Sequence, residues 1–233
     1  MPPVWQSHAE NSVSGTTVTV TKPAGVVDGW LMIAYGCHAT GGANSLTGAA
    51  PAGWTEEFVG NNSEQNIGVW TRIASGEGAN YAFTWTTNNE CAIMIDAFSG
   101  NHQTLATAIH KEHYQLLTTT NIAITNQVIT TLADCLLWGV CSRDTTAAET
   151  VTWTGTGTPA EEWDVALTST FLCLSGAHQA AAAAGTFTQT ATYSAAARRN
   201  AMAFIAIAPP VAAAEIAAKR IIINQAVNRA ATY

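Results

Sequence analysis

The sequence predicts an all-β protein, a jelly-roll-like antiparallel β-sandwich built from two pseudo-repeats. Short runs suited to β-strands follow one another at spacings of 8–15 residues, and turn clusters rich in Gly, Asn and Thr separate them. No long amphipathic helix pattern interrupts residues 16–208. One pattern also occurs twice, about 105 residues apart. Many short strands are typical of sandwiches, and a fixed period indicates a repeated structural unit.

Four matches in the same order define the repeat. The matching segments are 31–34 with 136–139, 56–58 with 161–163, 81–84 with 185–188, and 90–95 with 199–204. The pseudo-repeats therefore cover about 16–100 and 120–208. We expect one domain, because no polar or Pro-rich linker separates residues 98 and 120. Two separate sandwiches of about 100 residues each are the alternative.

The first half begins with an arm and continues as strands. Residues 1–15 contain two prolines, one Trp and several small polar residues, which predicts an N-terminal arm outside the sandwich. Residues 16–21 alternate polar and apolar side chains, as a half-buried strand does. Residues 30–37 are almost continuously apolar, which predicts a strand covered on both faces. Further strands are predicted near 53–59, 66–73, 80–86 and 90–98.

The second half repeats this rhythm after a bridging strand at about 105–115. Its predicted strands lie near 120–125, 135–142, 150–154, 162–167, 169–175, 185–192 and 200–208. Residues 209–233 are predicted to form a C-terminal tail that docks on a neighbour. They begin with two prolines and have a helix-forming composition over 211–220, followed by three consecutive isoleucines.

Composition excludes several classes of protein. The chain is 11% charged and 48% apolar, which suits a large core and not a disordered chain. The net charge is −7 and the largest basic clusters are pairs, which argues against nucleic-acid binding. No apolar run approaches the roughly 18 residues of a membrane span. The first residues lack the features of a signal peptide, so we expect synthesis in the cytoplasm. Five cysteines, four of them in apolar runs, are expected to be buried thiols.

No residue pattern predicts catalysis. His110 and His113 lie on a predicted strand, where they would point to opposite faces, so we expect no metal site. The pairs Glu56-Glu57 and Glu161-Glu162 could suggest the carboxylates of a glycoside hydrolase. Their recurrence in both halves favours a framework role. Asp96 lies in an apolar strand and is expected to be a hydrogen-bonded structural carboxylate. We therefore predict no catalytic residue, no metal, no cofactor and no enzymatic activity.

The residues predicted to bind a partner lie outside the repeats. Most of the eight tryptophans sit among apolar strand neighbours, as core residues do, but Trp5 lies in the predicted arm. We expect Trp5 to anchor the arm in a neighbouring subunit. The apolar residues expected to dock the tail are Ile216, Ile221, Ile222 and Ile223. An exposed platform that includes Trp54 and Trp153 would instead indicate glycan binding.

Several segments resemble a β-sandwich family of tailed-phage and prophage proteins. They are residues 17–29, 31–34, 50–55, 69–74 and 81–85. The likeness covers about residues 12–208 and includes no catalytic motif. Members of this family are generally virion components, on the capsid surface or in tail and fibre assemblies. The resemblance thus implies a virion role without choosing between head and tail.

These observations favour a structural virion protein, most of all a capsid decoration or cement protein that bridges neighbouring subunits. The expected partners are the major capsid protein or tail proteins, together with further copies of this chain, for example in a trimer. The alternative is a tail-fibre or tail-tip module that binds a receptor or glycan, and a glycan hydrolase is a remote third hypothesis.

Overall fold

The computed structural model describes residues 1–39, 46, 49–145, 148–167, 172–195 and 198–210. The all-β prediction is confirmed, because almost every element in these ranges is a strand. The elements are β1 (Val4–Thr21), β2 (Leu31–Ala39), β3 (Thr55–Asn61), β4 (Gln65–Ile73), β5 (Asn80–Ser99), α1 (Leu105–Ala108), β6 (Ile109–Leu116), β7 (Ala123–Thr130), β8 (Cys135–Asp144), β9 (Val151–Gly155), β10 (Ala160–Leu167), β11 (Leu172–Ala181), β12 (Gly185–Tyr193) and β13 (Asn200–Ile207). No helix within the described ranges is long and apolar enough to span a membrane.

The strands form three antiparallel sheets. Sheet 1 has the order β1-β5-β2-β4-β3, sheet 2 has the order β6-β13-β8-β11-β10, and sheet 3 has the order β7-β12-β9. Sheets 1 and 2 have the same order when the first part of β1 is matched with β6 and the last part of β5 with β13. The repeat seen in the sequence is therefore a repeat of topology.

Each half wraps like a jelly roll. In the second half, β6, β8, β11 and β13 lie in sheet 2, whereas β7, β9 and β12 lie in the facing sheet 3. The chain thus crosses repeatedly between two layers, as a jelly roll does. The first half achieves the same crossing with two long strands. Residues 4–15 of β1 pair with 89–99 of β5 in sheet 1, and after an irregularity residues 17–21 pair with 80–84.

Three apolar clusters show that the body has four layers. The central cluster joins sheets 1 and 2 and includes Leu31, Ile33, Val140 and Ile205. A second cluster fills the opposite face of sheet 1 beneath the 17–21/80–84 ribbon. A third fills the space between sheets 2 and 3. Because both repeats contribute to the central cluster, they form one packed body in which each repeat is also a two-layer sandwich.

Burial on both faces explains the long apolar runs in the sequence. Every residue of β2 is buried, as the continuous apolar run predicted. Its counterpart β8 is buried over nine of its ten residues, and β13 is buried throughout. These strands form the middle of sheets 1 and 2, between the central cluster and an outer layer.

The predicted N-terminal arm is wrong for residues 4–15. They form the first part of β1 and pair with β5 from Val4↔Ser99 to Gly15↔Asn89. This segment is the counterpart of β6, so the repeat begins near residue 4 and not at residue 16. Its polar composition misled the prediction, because an edge strand leaves much of its surface in solvent. The predicted bridging strand is also shorter, since α1 occupies its first residues.

A repeated irregularity explains the two Glu-Glu pairs. The β3/β4 register shifts between Glu56 and Phe58, and the β10/β11 register shifts between Glu161 and Trp163. Glu57 and Glu162 are therefore the extra residues of equivalent β-bulges. Each bulged glutamate interacts with the adjacent strand: Glu57 accepts a hydrogen bond from Thr71 Oγ1, and Glu162 lies 3.0 Å from His178 Nδ1. The framework interpretation of these pairs agrees with this geometry.

The bulge in β10 places the Trp163 ring over Gly176, which gives a testable consequence. A Cβ atom at position 176 would lie 2.3 Å from Cζ2 of Trp163. We expect Gly176→Ala to lower the free energy of unfolding by about 1–3 kcal/mol, as overpacking in a rigid core does. Denaturant unfolding of the full chain measures this loss. Gly185→Ala is the matched control, because its nearest neighbour, Phe187, is 3.7 Å away. Equal stability of the two variants would contradict the proposed packing.

Candidate functional site

The contact between sheets 1 and 2, here called the seam, has an aromatic contact at each end. At one end, His8 of β1 packs on Trp163 of β10 with ring centroids 5.7 Å apart. At the other end, Tyr114 of β6 stacks on Phe58 of β3 at 4.6 Å. Phe58 and Trp163 both follow a bulge and are separated by the repeat offset. The two repeats thus use corresponding strands against each other, in the way that subunits of a two-fold dimer do.

Asp96 is the most unusual group at the seam. Its side chain is fully buried on β5, between the two repeats. One carboxylate oxygen accepts a hydrogen bond from Trp5 Nε1 at 2.9 Å, and the other accepts one from Trp138 Nε1 at 2.7 Å. The expectation that this carboxylate is hydrogen-bonded is confirmed. Sequence reasoning did not identify its donors, because they lie 91 and 42 residues away along the chain.

Burial raises the pKa of Asp96 to about 7. The indole groups of Trp5, Trp138 and Trp163 oppose this rise because they stabilise the ionised form, whereas the nearby Glu162 adds to it. Desolvation is the larger effect. Asp96 is therefore a carboxyl group with a pKa close to neutral pH, and groups from both repeats surround it.

Two histidines lie beside these indoles at the edge of the seam. Trp5 stacks with His8 and His178, with ring centroids 6.2 and 6.1 Å apart. His178 is also within 3.0 Å of Glu162. Burial lowers the pKa of His178, although Glu162 acts in the opposite direction. We call this group of Asp96, Trp5, His8, His178 and Glu162 the seam cluster.

The structure shows which groups of its own chain Trp5 contacts. Its ring is half-buried against His8 and His178, and its indole N–H donates a hydrogen bond to Asp96. Trp5 therefore joins the two repeats within one chain, and its contact with a neighbouring subunit stays a prediction. The other residues predicted to bind a partner, Ile216, Ile221, Ile222 and Ile223, lie outside the described residues.

A groove with two carboxylates lies near the opposite end of the seam. Its volume is about 480 Å³, and its lining residues are Thr55, Glu57, Leu105, Ala106, Ile109 and Glu112. Burial raises the pKa of Glu112, and the nearby Glu57 raises it further. Sequence reasoning missed this pair because Glu57 lies on β3 of the first repeat and Glu112 on β6 of the second. We call this feature the acidic groove.

The described strands of the two outermost layers carry no charged side chain. Sheet 3 has none in β7, β9 or β12, and the opposite outer layer has none in residues 16–21 and 80–87. Threonines dominate both surfaces, and some pair across strands. Thr125 and Thr190 hydroxyls are 2.8 Å apart on sheet 3, and those of Thr17 and Thr84 are 3.3 Å apart on the opposite layer. We call these two surfaces the threonine faces.

The remaining candidates from the sequence have structural partners. His110 Nε2 accepts a hydrogen bond from the Thr131 backbone N–H, and His113 Nδ1 is 3.1 Å from the Gln127 carbonyl oxygen. All five cysteines are free and buried, as expected. In the part of the chain that the structure describes, no three His, Cys, Asp or Glu residues are placed to hold a metal ion.

Comparison with known proteins finds no protein-family model, no curated protein and no solved structure that matches the chain.

Proposed function

We propose that this chain is a structural protein of a tailed-phage particle, most of all a capsid decoration protein that bridges neighbouring subunits of the shell. One observation carries the proposal: two charge-free threonine faces form the outermost layers on opposite sides of one four-layer body. A bridging protein needs two adhesive surfaces that a rigid body holds apart. The proposed partners are the major capsid protein and further copies of this chain.

The chemistry of the threonine faces suits adhesion. The buried centres of protein interfaces are depleted in charged residues, because a charge that is removed from water without a partner is costly. The branched threonine side chains on a strand have few rotamers, so little conformational entropy is lost when they are covered. Sheet 3 adds exposed apolar area at Ile129, which is 56% accessible. Many weak contacts of this kind, multiplied over a shell, would hold the protein through avidity.

The tail-fibre alternative has less support. Glycan-binding sites present aromatic rings beside polar groups on an accessible surface. Trp54 is half-buried and Trp153 is only 7% accessible. All eight tryptophans lie in the described residues, and none of them is exposed.

Charge introduced on a threonine face tests the proposal. We expect Thr190→Lys, at the centre of sheet 3, and Thr19→Lys, on the opposite layer, to bind poorly to particles that carry none of this protein. Each variant should lower the amount of bound protein at least tenfold. The physical reason is that a buried lysine without a partner must be desolvated. Co-sedimentation of the purified full chain with such particles measures occupancy.

Thr119→Lys is the matched control, because it adds the same charge in an exposed loop outside both faces. It should bind as the unmodified chain does. Particle binding that is unchanged in both Thr190→Lys and Thr19→Lys would show that the threonine faces are not the adhesive surfaces. Failure of the unmodified chain to bind any particle would refute the virion role itself.

A further inference from the structure

We propose that the acidic groove binds the C-terminal segment of the same chain, residues 211–233, through Lys219 and Arg220. This proposal does not rest on a virion role. It rests on the lining of the groove, on the point at which the chain leaves the body, and on the charge of the segment. Each of these is independent of the others.

The groove is lined by both apolar and acidic side chains. Leu105, Ala106 and Ile109 supply the apolar wall, and Glu57 and Glu112 supply the carboxylates. Burial raises the pKa of Glu112 and the negative charge of the nearby Glu57 raises it further, so a cation bound beside both carboxylates would relieve an existing repulsion. The Tyr114 hydroxyl, whose pKa is raised by burial and further by Glu112 and Glu57, has no hydrogen-bond partner among the described residues.

The chain leaves the body beside this wall. The Ala208 N–H donates to the Ala108 carbonyl oxygen at 2.8 Å, and the Ala208 carbonyl accepts from the His102 N–H at 3.1 Å. Ala108 is flanked by groove residues Ala106 and Ile109. The segment that follows Ala208 therefore begins next to the groove. Lys219 is eleven residues beyond Ala208, a separation that spans at most about 40 Å, so the groove is well within reach.

The charge of the segment is complementary to the groove. Residues 211–233 contain three of the nine basic residues and one of the sixteen acidic residues, which gives a net charge of +2. The other 210 residues contain six basic and fifteen acidic residues, which gives −9. Lys219 and Arg220 are adjacent, with Ile216 before them and Ile221, Ile222 and Ile223 after them. The same stretch thus offers two cations for the glutamates and apolar side chains for Leu105 and Ile109.

A tethered segment binds such a site more readily than a free peptide does. One exposed ion pair contributes little to binding on its own. Tethering beside the groove gives an effective concentration on the order of millimolar, so weak contacts suffice to keep the segment bound. Binding in the same chain follows from this proximity, whereas a neighbouring copy would have no such advantage in dilute solution.

Limited trypsin digestion of the full chain tests the proposal, since trypsin cleaves after Lys219 and Arg220. We expect slow loss of the C-terminal fragment from the unmodified protein, and at least tenfold faster loss from Glu57→Gln/Glu112→Gln, with mass spectrometry as the readout. The control is Glu56→Gln/Glu161→Gln, which removes two exposed carboxylates that do not line the groove and should leave the rate unchanged. Thermal unfolding of each variant verifies that the body remains folded.

Two results would overturn the proposal. Equal cleavage rates in the unmodified protein and in Glu57→Gln/Glu112→Gln would show that the groove does not hold the segment. Protection that appears only as protein concentration rises would show that a neighbouring copy supplies it. Protection that is independent of concentration and lost in the groove variant is the result that the proposal requires.

Discussion

Arg143→Ala is expected to lower the free energy of unfolding by about 3–5 kcal/mol, the cost of leaving one member of a buried ion pair alone. Arg143 is fully buried at the end of β8, where its guanidinium group pairs with Glu149. The same group lies 4.2 Å from the centre of the Tyr193 ring. Removal of the guanidinium would leave the Glu149 carboxylate in an apolar environment, with a hydrogen bond from the Thr145 hydroxyl. Denaturant unfolding of the full chain measures the change.

The double variant Arg143→Met/Glu149→Leu removes both charges but keeps apolar side chains in the space that the ion pair fills. Buried pairs are often replaced by apolar side chains at little cost, so this variant should recover much of the stability that Arg143→Ala loses. A loss below about 1 kcal/mol in Arg143→Ala would mean that Glu149 finds water or another partner. In that case the pair would not be part of the core of the second repeat.

Asp96 is expected to make the stability of the protein depend on pH between about 4 and 8. Its pKa of about 7 in the folded chain lies above its usual value of 3.8. A carboxyl group whose pKa is raised by folding stabilises the folded state below its unfolded pKa, and this contribution disappears as pH rises through the folded pKa. At about 1.4 kcal/mol per pH unit, the free energy of unfolding should fall by roughly 4 kcal/mol over this range.

Asp96→Asn isolates this contribution from those of other titrating groups. The difference in unfolding free energy between the unmodified chain and Asp96→Asn should change with pH between about 4 and 8. The variant has no carboxyl group at position 96, so its own stability should lack the pH dependence that Asp96 contributes. Trp5→Phe provides a second comparison. It removes one donor that favours the ionised form, so the midpoint of the pH dependence should move to higher pH. A pH-independent difference would contradict the assignment.

The strands and the β-bulges could be predicted from the sequence because they depend on local residue patterns that occur in both repeats. The apolar runs of β2 and β8 predict strands covered on both faces, and the Glu-Glu pairs mark the equivalent bulges in β3 and β10. The number of layers could not be predicted in this way. An apolar strand requires a cover on each face, but its sequence does not say whether that cover comes from its own repeat or from the other one.

The seam cluster and the acidic groove lay beyond sequence reasoning for a related reason. Trp138 and Asp96, like Glu57 and Glu112, come together only because strands of the two repeats pack across the seam. Arg143 carried a recognisable signal, since it is a cation at the end of an otherwise apolar run. Its partner Glu149 was not recognisable, because a loop carboxylate looks like any solvent-facing one.

Labelling this chain in intact phage particles decides whether the proposed virion role is right, because a virion component stays bound to purified particles. Purified particles from the strain that encodes the chain would be decorated with a specific antibody fragment and imaged by electron microscopy. We expect regularly spaced label over the capsid shell, as a decoration protein would give. Purified particles that contain none of the protein would contradict the virion role.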